Sequence, residues 1–168
     1  REAGVWLYAA LDSATDSVYA ADLAGPVALV GRYLFVALQR LSDFLTVTEG
    51  VLAVVDTTTE RLVDVDPATA GVQGIELVGR NPVALEYVPE LGRLLVSASG
   101  NFGVADGGVE AVDPFRFVSE GYLQTEAALG GDVGPIASVA GRKVYAVAGG
   151  FEDNRLLVFD LTLAPETG

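Results

Sequence analysis

The chain has no histidine, no cysteine and no methionine, and one tryptophan among its 168 residues. Each absence closes a class of chemistry. Without Cys there is no disulfide framework, and without Cys or His no zinc site of the usual kind. Ser-His-Asp and Cys-His catalysis need an imidazole base, so both are excluded. Basic residues are also scarce: 10 Lys and Arg face 23 Asp and Glu, for a net charge of -13 and a pI near 4.1. Phosphate neutralisation needs clustered cations, so no nucleic-acid partner is expected. No apolar run approaches the roughly 20 residues of a membrane helix, so no transmembrane segment is expected. The stretch from Pro26 is broken by Gly31 and Arg32. Cysteine usage leaves the redox compartment open.

Apolar residues, by contrast, are abundant at 51%, with 20 glycines. That composition excludes disorder, and the length is enough to bury one core. The chain starts at Arg1 and goes straight into an apolar strand pattern without a leader-like stretch. The expectation is a removed leader or a cut inside something larger.

One unit recurs four times: a glycine, an apolar strand, a polar loop, a second apolar strand and a closing aspartate. It runs from Gly4-Val5-Trp6 to Asp22, from Gly31-Arg32-Tyr33 to Asp56, from Gly92-Arg93-Leu94 to Asp113, and from Gly141-Arg142-Lys143 to Asp160. Pro26, Pro82 and Pro135 lead a further strand into three of these units, and Pro suits a strand's first position. Arg61 to Val65 and Phe115 to Val118 read as outer strands. No window keeps helical apolar spacing without a Gly or Pro break. Val, Ile, Tyr, Phe and Thr fill the strands. Inner strands such as Leu52-Ala53-Val54-Val55 are continuous apolar runs, as in sheets covered on both faces. The fold class is therefore all-β.

The segments Val78-Gly79-Arg80-Asn81-Pro82 and Leu91-Gly92-Arg93-Leu94-Leu95-Val96-Ser97, followed by a strand closing in Asp113, resemble the YVTN-type β-propeller repeat. The resemblance covers nearly the whole chain. It implies a β-propeller and an extracellular, cell-surface or periplasmic setting, because the family is typical of bacterial and archaeal surface or secreted proteins. It carries no catalytic residues. Such rings usually have about seven blades. Here the expectation is one segment, 1–168, of about three to four blades in units near 4–25, 26–81, 82–134 and 135–168, with longer loops and missing strands at both ends. An open arc exposes strand edges and an apolar blade face. The expected partners are thus other copies of the chain or another chain that completes the ring, with filaments as one outcome.

The strand-end aspartates Asp22, Asp56, Asp113 and Asp160 read as turn formers that accept backbone N–H groups two residues on, in preference to an acidic ring. For calcium, the only cofactor considered, the candidates are Asp64 and Asp66, two residues apart on one side of an extended strand, and Glu152 and Asp153 beside Asn154. The polar loop from Asn101 to Asp106 is of the same kind. None matches an EF-hand loop. Gly100 to Gly108 joins two strands and reads as a hairpin loop, since a phosphate loop would open a helix. The strand aromatics, Tyr8, Tyr19, Tyr33, Phe35, Tyr145 and Phe159, read as core. Trp6, near the presumed open end, is a candidate assembly contact.

The function that follows is a non-enzymatic extracellular scaffold, binding or self-assembling subunit. The alternative is a piece of a propeller hydrolase, lactonase or metal- or quinone-dependent enzyme with its site elsewhere. Fold alone transfers no activity to this chain.

Overall fold

The structure, a computed structural model, describes residues 24–42, 45–46, 48–139, 143–150 and 153–161. The first repeat unit, with Trp6 and Asp22, lies outside the described residues.

The described chain is all-β, built from several antiparallel sheets. The first sheet contains β1 (Ala24–Val30), β2 (Tyr33–Leu38), β5 (Val51–Asp56) and β6 (Arg61–Leu62), with β7 (Ile75–Glu76) pairing the far end of β5. A small ribbon, β3 (Leu41–Ser42) and β4 (Leu45–Thr46), is inserted between β2 and β5. The second sheet contains β8 (Pro82–Val88), β9 (Arg93–Ala98), β10 (Gly108–Asp113) and β11 (Val118–Thr125). One helical turn, α1 (Glu126–Leu129), leads to the third sheet of β12 (Asp132–Val139), β13 (Lys143–Gly149) and β14 (Arg155–Asp160).

Local chemistry sets these boundaries. The proline-bearing strands β1, β8 and β12 are all sheet edges, and each breaks register beside its proline; only β8 begins at it, while Pro26 and Pro135 are the third and fourth residues of β1 and β12. A proline cannot donate to a ladder, so an edge position with a bulge accommodates it. The β1–β2 turn has only two central residues, with Val30 opposite Tyr33, and Gly31 supplies the φ of 58° that it needs. Gly92 does the same before β9 at φ 62°.

Two expected outer strands differ. The segment at Phe115 forms a turn, and the strand starts at Val118 and runs to Thr125. Asp113 Oδ1 accepts from the N–H groups of Phe115 and Arg116, which folds the chain back before any strand can begin. The outer strand after β5 stops at Leu62, with one further bond from the Val63 N–H to the Val54 carbonyl, because Asp64 draws the chain into a loop by accepting from the Gln73 N–H.

The three sheets are stacked in chain order, with β1 against β8 and β8 against β12. Each sheet therefore has a face toward the preceding sheet and a face toward the following one. Between sheets one and two, Phe35, Ala37, Leu52 and Val54 meet Leu94, Val96 and Val112. Between sheets two and three, Val88, Leu95, Val109 and Ala111 meet Val133, Val144, Ala146 and Ala148. Alternate residues of β9 and β10 thus enter different cores, which is why both strands read as unbroken apolar runs. The following face of sheet three is open: Val139, Leu156 and Val158 are 54%, 68% and 50% exposed.

Leu95→Ala in the doubly covered sheet should cost about 2–5 kcal/mol. Leu156→Ala on the open face should cost less than about 0.5 kcal/mol. Urea unfolding of the two variants beside the parent chain measures both.

Candidate functional site

The loops that join strands at one end of sheets two and three enclose a cleft of about 1000 Å³, lined by Phe102, Gly131, Asp132, Gly149, Asp153 and Arg155 among others. Its shape is fixed by short polar contacts. Asp106 accepts from the backbone N–H of Asn101 at 2.8 Å and from its side-chain amide at 2.7 Å. The Gly103 N–H donates to Asp132 Oδ2 at 2.9 Å. Arg155 donates to the Gly130 carbonyl at 2.6 Å, closing the other wall. Glycine is needed at 131, where a Cβ would lie 2.7 Å from the Gly149 Cα. On this frame the Phe102 ring is 64% exposed. The cleft thus offers an apolar ring beside carboxylates and a guanidinium, features suited to holding a ligand.

Beneath the loops, the sheets are pinned to one another by carboxyl groups. Glu126 opens α1, which Thr125 caps by accepting from the Ala128 N–H. Its fully buried side chain accepts from the Gly107 N–H and the Val133 N–H, each at 2.8 Å, and so ties sheet two to sheet three. Burial pushes its carboxyl upward, the nearby Asp132 and Asp106 charges add to that, and the two N–H donors oppose it. Glu86 accepts from the Ser138 hydroxyl at 2.8 Å across the same boundary. Ser97 donates there to the Gly134 carbonyl at 2.7 Å.

Glu110 of sheet two similarly holds the segment that connects sheet one to sheet two. It is fully buried, and its Oε2 accepts from the Val78 N–H at 2.8 Å and the Ser119 hydroxyl at 3.2 Å. Its Oε1 has no hydrogen-bond partner among the described residues. Burial without a neighbouring cation raises its pKa to about 7, despite those donors. Tyr122, desolvated and close to Glu110, Glu126 and Asp106, is pushed up to about 12.

The residues singled out from sequence take separate places. Asp56 Oδ1 accepts from the Thr58 N–H at 2.9 Å, and Asp113 does the same for Phe115. Each also faces the arginine of its own Gly-Arg pair: Arg32 lies 3.5 Å from Asp56, and Arg93 lies 3.6 Å from Asp113. Burial pushes the Asp113 carboxyl up, but its N–H donors and Arg93 together hold it below the usual range. Asp160 stands opposite Lys143 in the ladder.

Asp64 and Asp66 sit in the loop after β6, outside any strand, and their oxygens serve local turns. Asp64 accepts from the Asp66 and Gln73 N–H groups, and Asp66 from the Ala68 N–H and the Thr69 hydroxyl. Asp66 lines a second cleft of about 640 Å³ while Asp153 lines the first, so these two acids are not brought together. Glu152 lies outside the described residues. Among the described residues no three acids gather as a metal site.

The inter-sheet carboxyls Glu86, Glu110 and Glu126 are the residues that sequence reasoning missed. A signal for one was present: Glu110 interrupts the apolar run Val109-Glu110-Ala111-Val112. No protein-family model matches the chain, and no curated protein matches it.

Glu110 has a stated consequence for stability. An unfolded Glu ionises near 4.5 and the folded one near 7. Its contribution is therefore fully present below 4.5 and is lost as pH rises through 7. Glu110→Gln removes this titration. From about pH 5 to about pH 8 the parent should lose about 2–3 kcal/mol relative to the variant. Urea unfolding across that range checks both the sign and the size.

Proposed function

We propose that this chain is a non-enzymatic β-propeller-type segment of about three to four blades, acting as an extracellular or cell-surface scaffold subunit that associates with its own copies. The observation that carries the reading is the uncovered face of sheet three. Sheets one and two bury the centres of their following faces, whereas the same face of sheet three leaves Val139, Leu156 and Val158 in water. Apolar faces of this kind mark interaction surfaces. Support for the propeller form comes from the proline-bearing edge strand and closing Asp at the same place in all three sheets, and from the Gly-Arg turn at the same place in sheets one and two. The resemblance to surface propeller repeats supports the extracellular setting. The cleft beside Phe102 gives such a scaffold a place to hold a ligand.

Sedimentation velocity over about two decades of protein concentration tests the reading. The weight-average mass should rise above the 17.4 kDa of one chain as concentration increases. A single 17.4 kDa species at every concentration overturns it.

A further inference from the structure

We infer that the cleft at the loop end of sheets two and three is a carbohydrate site, with a sugar ring stacked on Phe102 and its hydroxyls bonded to Asp132, Asp153, Asn154 and Arg155. This rests on the reading of the cleft as a ligand site and names the class of ligand. It is independent of whether copies of the chain associate.

An aromatic ring held out in water is the first observation. Phe102 is 64% exposed, yet its neighbours on both sides are fixed. Asn101 is bound through its backbone and its side chain to Asp106, and the Gly103 N–H is bound to Asp132. The Glu126 carboxyl takes the Gly107 N–H and so anchors the far end of the same loop. A loop clamped by three carboxylates presents its ring in one place, which spares a ligand the cost of ordering it. Glycines 103, 130, 131, 149 and 150 line the same cleft and keep its walls at backbone level. At Gly150 a Cβ would meet nothing within 4 Å. A cleft of about 1000 Å³ is ample for a small ligand and has room for more than one sugar ring.

The polar groups decide the class of ligand. Ionised Asp132 and Asp153 only accept, the Arg155 guanidinium only donates, and the Asn154 amide does both. The two groups that are engaged keep capacity. Gly103 takes one of about four acceptor positions on Asp132, and the Gly130 carbonyl takes one donor of the several that Arg155 carries. An inorganic anion meets two carboxylates here, in a chain of net charge -13. A metal ion finds no group of three acids among the described residues. An apolar ligand strips water from carboxylates and a guanidinium without replacing it. An organic cation leaves Arg155 unmatched. A sugar answers all of these groups. Each hydroxyl can donate to a carboxylate or accept from the guanidinium, while the C–H face of the ring lies on Phe102.

The closing experiment follows the backbone amide signals of the 20 glycines by NMR, in the full-length chain isotope-labelled on glycine. Methyl glucoside, galactoside and mannoside and the matching disaccharides are titrated in one arm, butylamine in a second and inorganic phosphate in a third. At least one sugar should shift the glycines of the cleft saturably and leave the others in place. Phe102→Ala should weaken that binding about tenfold. Phe102→Tyr, which keeps a ring, should retain it. Circular dichroism checks that each variant folds. Phe102→Leu, with apolar bulk but no ring, replaces an alanine variant that does not.

No saturable shift with any sugar overturns the inference, as does a shift that loss of the Phe102 ring leaves unchanged. Cleft glycines that move with butylamine or phosphate, but with no sugar, overturn the sugar class and leave the ligand site standing. Cleft glycines that move with none of the probes overturn both. Self-association is read separately by sedimentation, so neither result decides the other.

Discussion

A β-sheet that is apolar on both faces cannot stand in water, and the rest of this structure follows from that constraint. The middle sheet is the clearest case: β10 is buried along its whole length and β9 along all but its first residue. Neither strand has a side free for polar residues. Punctuation is therefore confined to edge strands, whose ladders proline breaks, and to strand ends, where glycine turns the chain and a Gly-Arg arginine meets a closing aspartate. One neighbouring sheet satisfies half of the demand, and only a stack satisfies all of it.

Apolar slabs by themselves slide, since burial is nondirectional. The register between sheets is given by a few polar side chains that cross the boundary. Glu126 reaches the Gly107 and Val133 N–H groups, Glu110 reaches Val78, and Glu86 reaches Ser138. These acids meet backbone N–H groups and hydroxyls in place of cations, which suits a chain with so few bases. Burying a carboxyl is costly unless its lone pairs are met. Glu126 has both oxygens satisfied, while Glu110 leaves Oε1 without a partner. Glu110 therefore fixes position at some expense of stability, a trade the raised carboxyl makes visible.

Much of this was legible because it repeats. The prolines placed β1, β8 and β12, the glycines placed the turns before β2 and β9, and Asp56 and Asp113 placed the ends of β5 and β10. The outer strands were harder. In Phe115-Arg116-Phe117-Val118 the side chains suit a strand, but Asp113 captures two N–H groups that the strand would need. A local hydrogen bond decided against propensity there. A similar local competition acts on Asp64 and Asp66, two residues apart in one loop, whose oxygens are taken up by nearby backbone N–H groups. The inter-sheet acids were hidden because their partners are distant: Glu86 and Ser138 are 52 residues apart.

The acidic balance then acquires a place. Glu60, Glu76, Glu90 and Glu120 are exposed on turns and short or outer strands, while on the open sheet-three face charge is confined to one end, where Lys143 and Asp160 stand in register with Val139. Like charges repel over roughly a Debye length, about 8–10 Å at ordinary ionic strength, so they oppose approach from any direction. Apolar contact acts only once surfaces meet. Acidic rims and a face with one Lys–Asp row and otherwise apolar rows therefore penalise sideways encounters more than encounters through that face. A strongly acidic chain can thus keep an apolar face and still remain dispersed, because the two forces act on different parts of its surface.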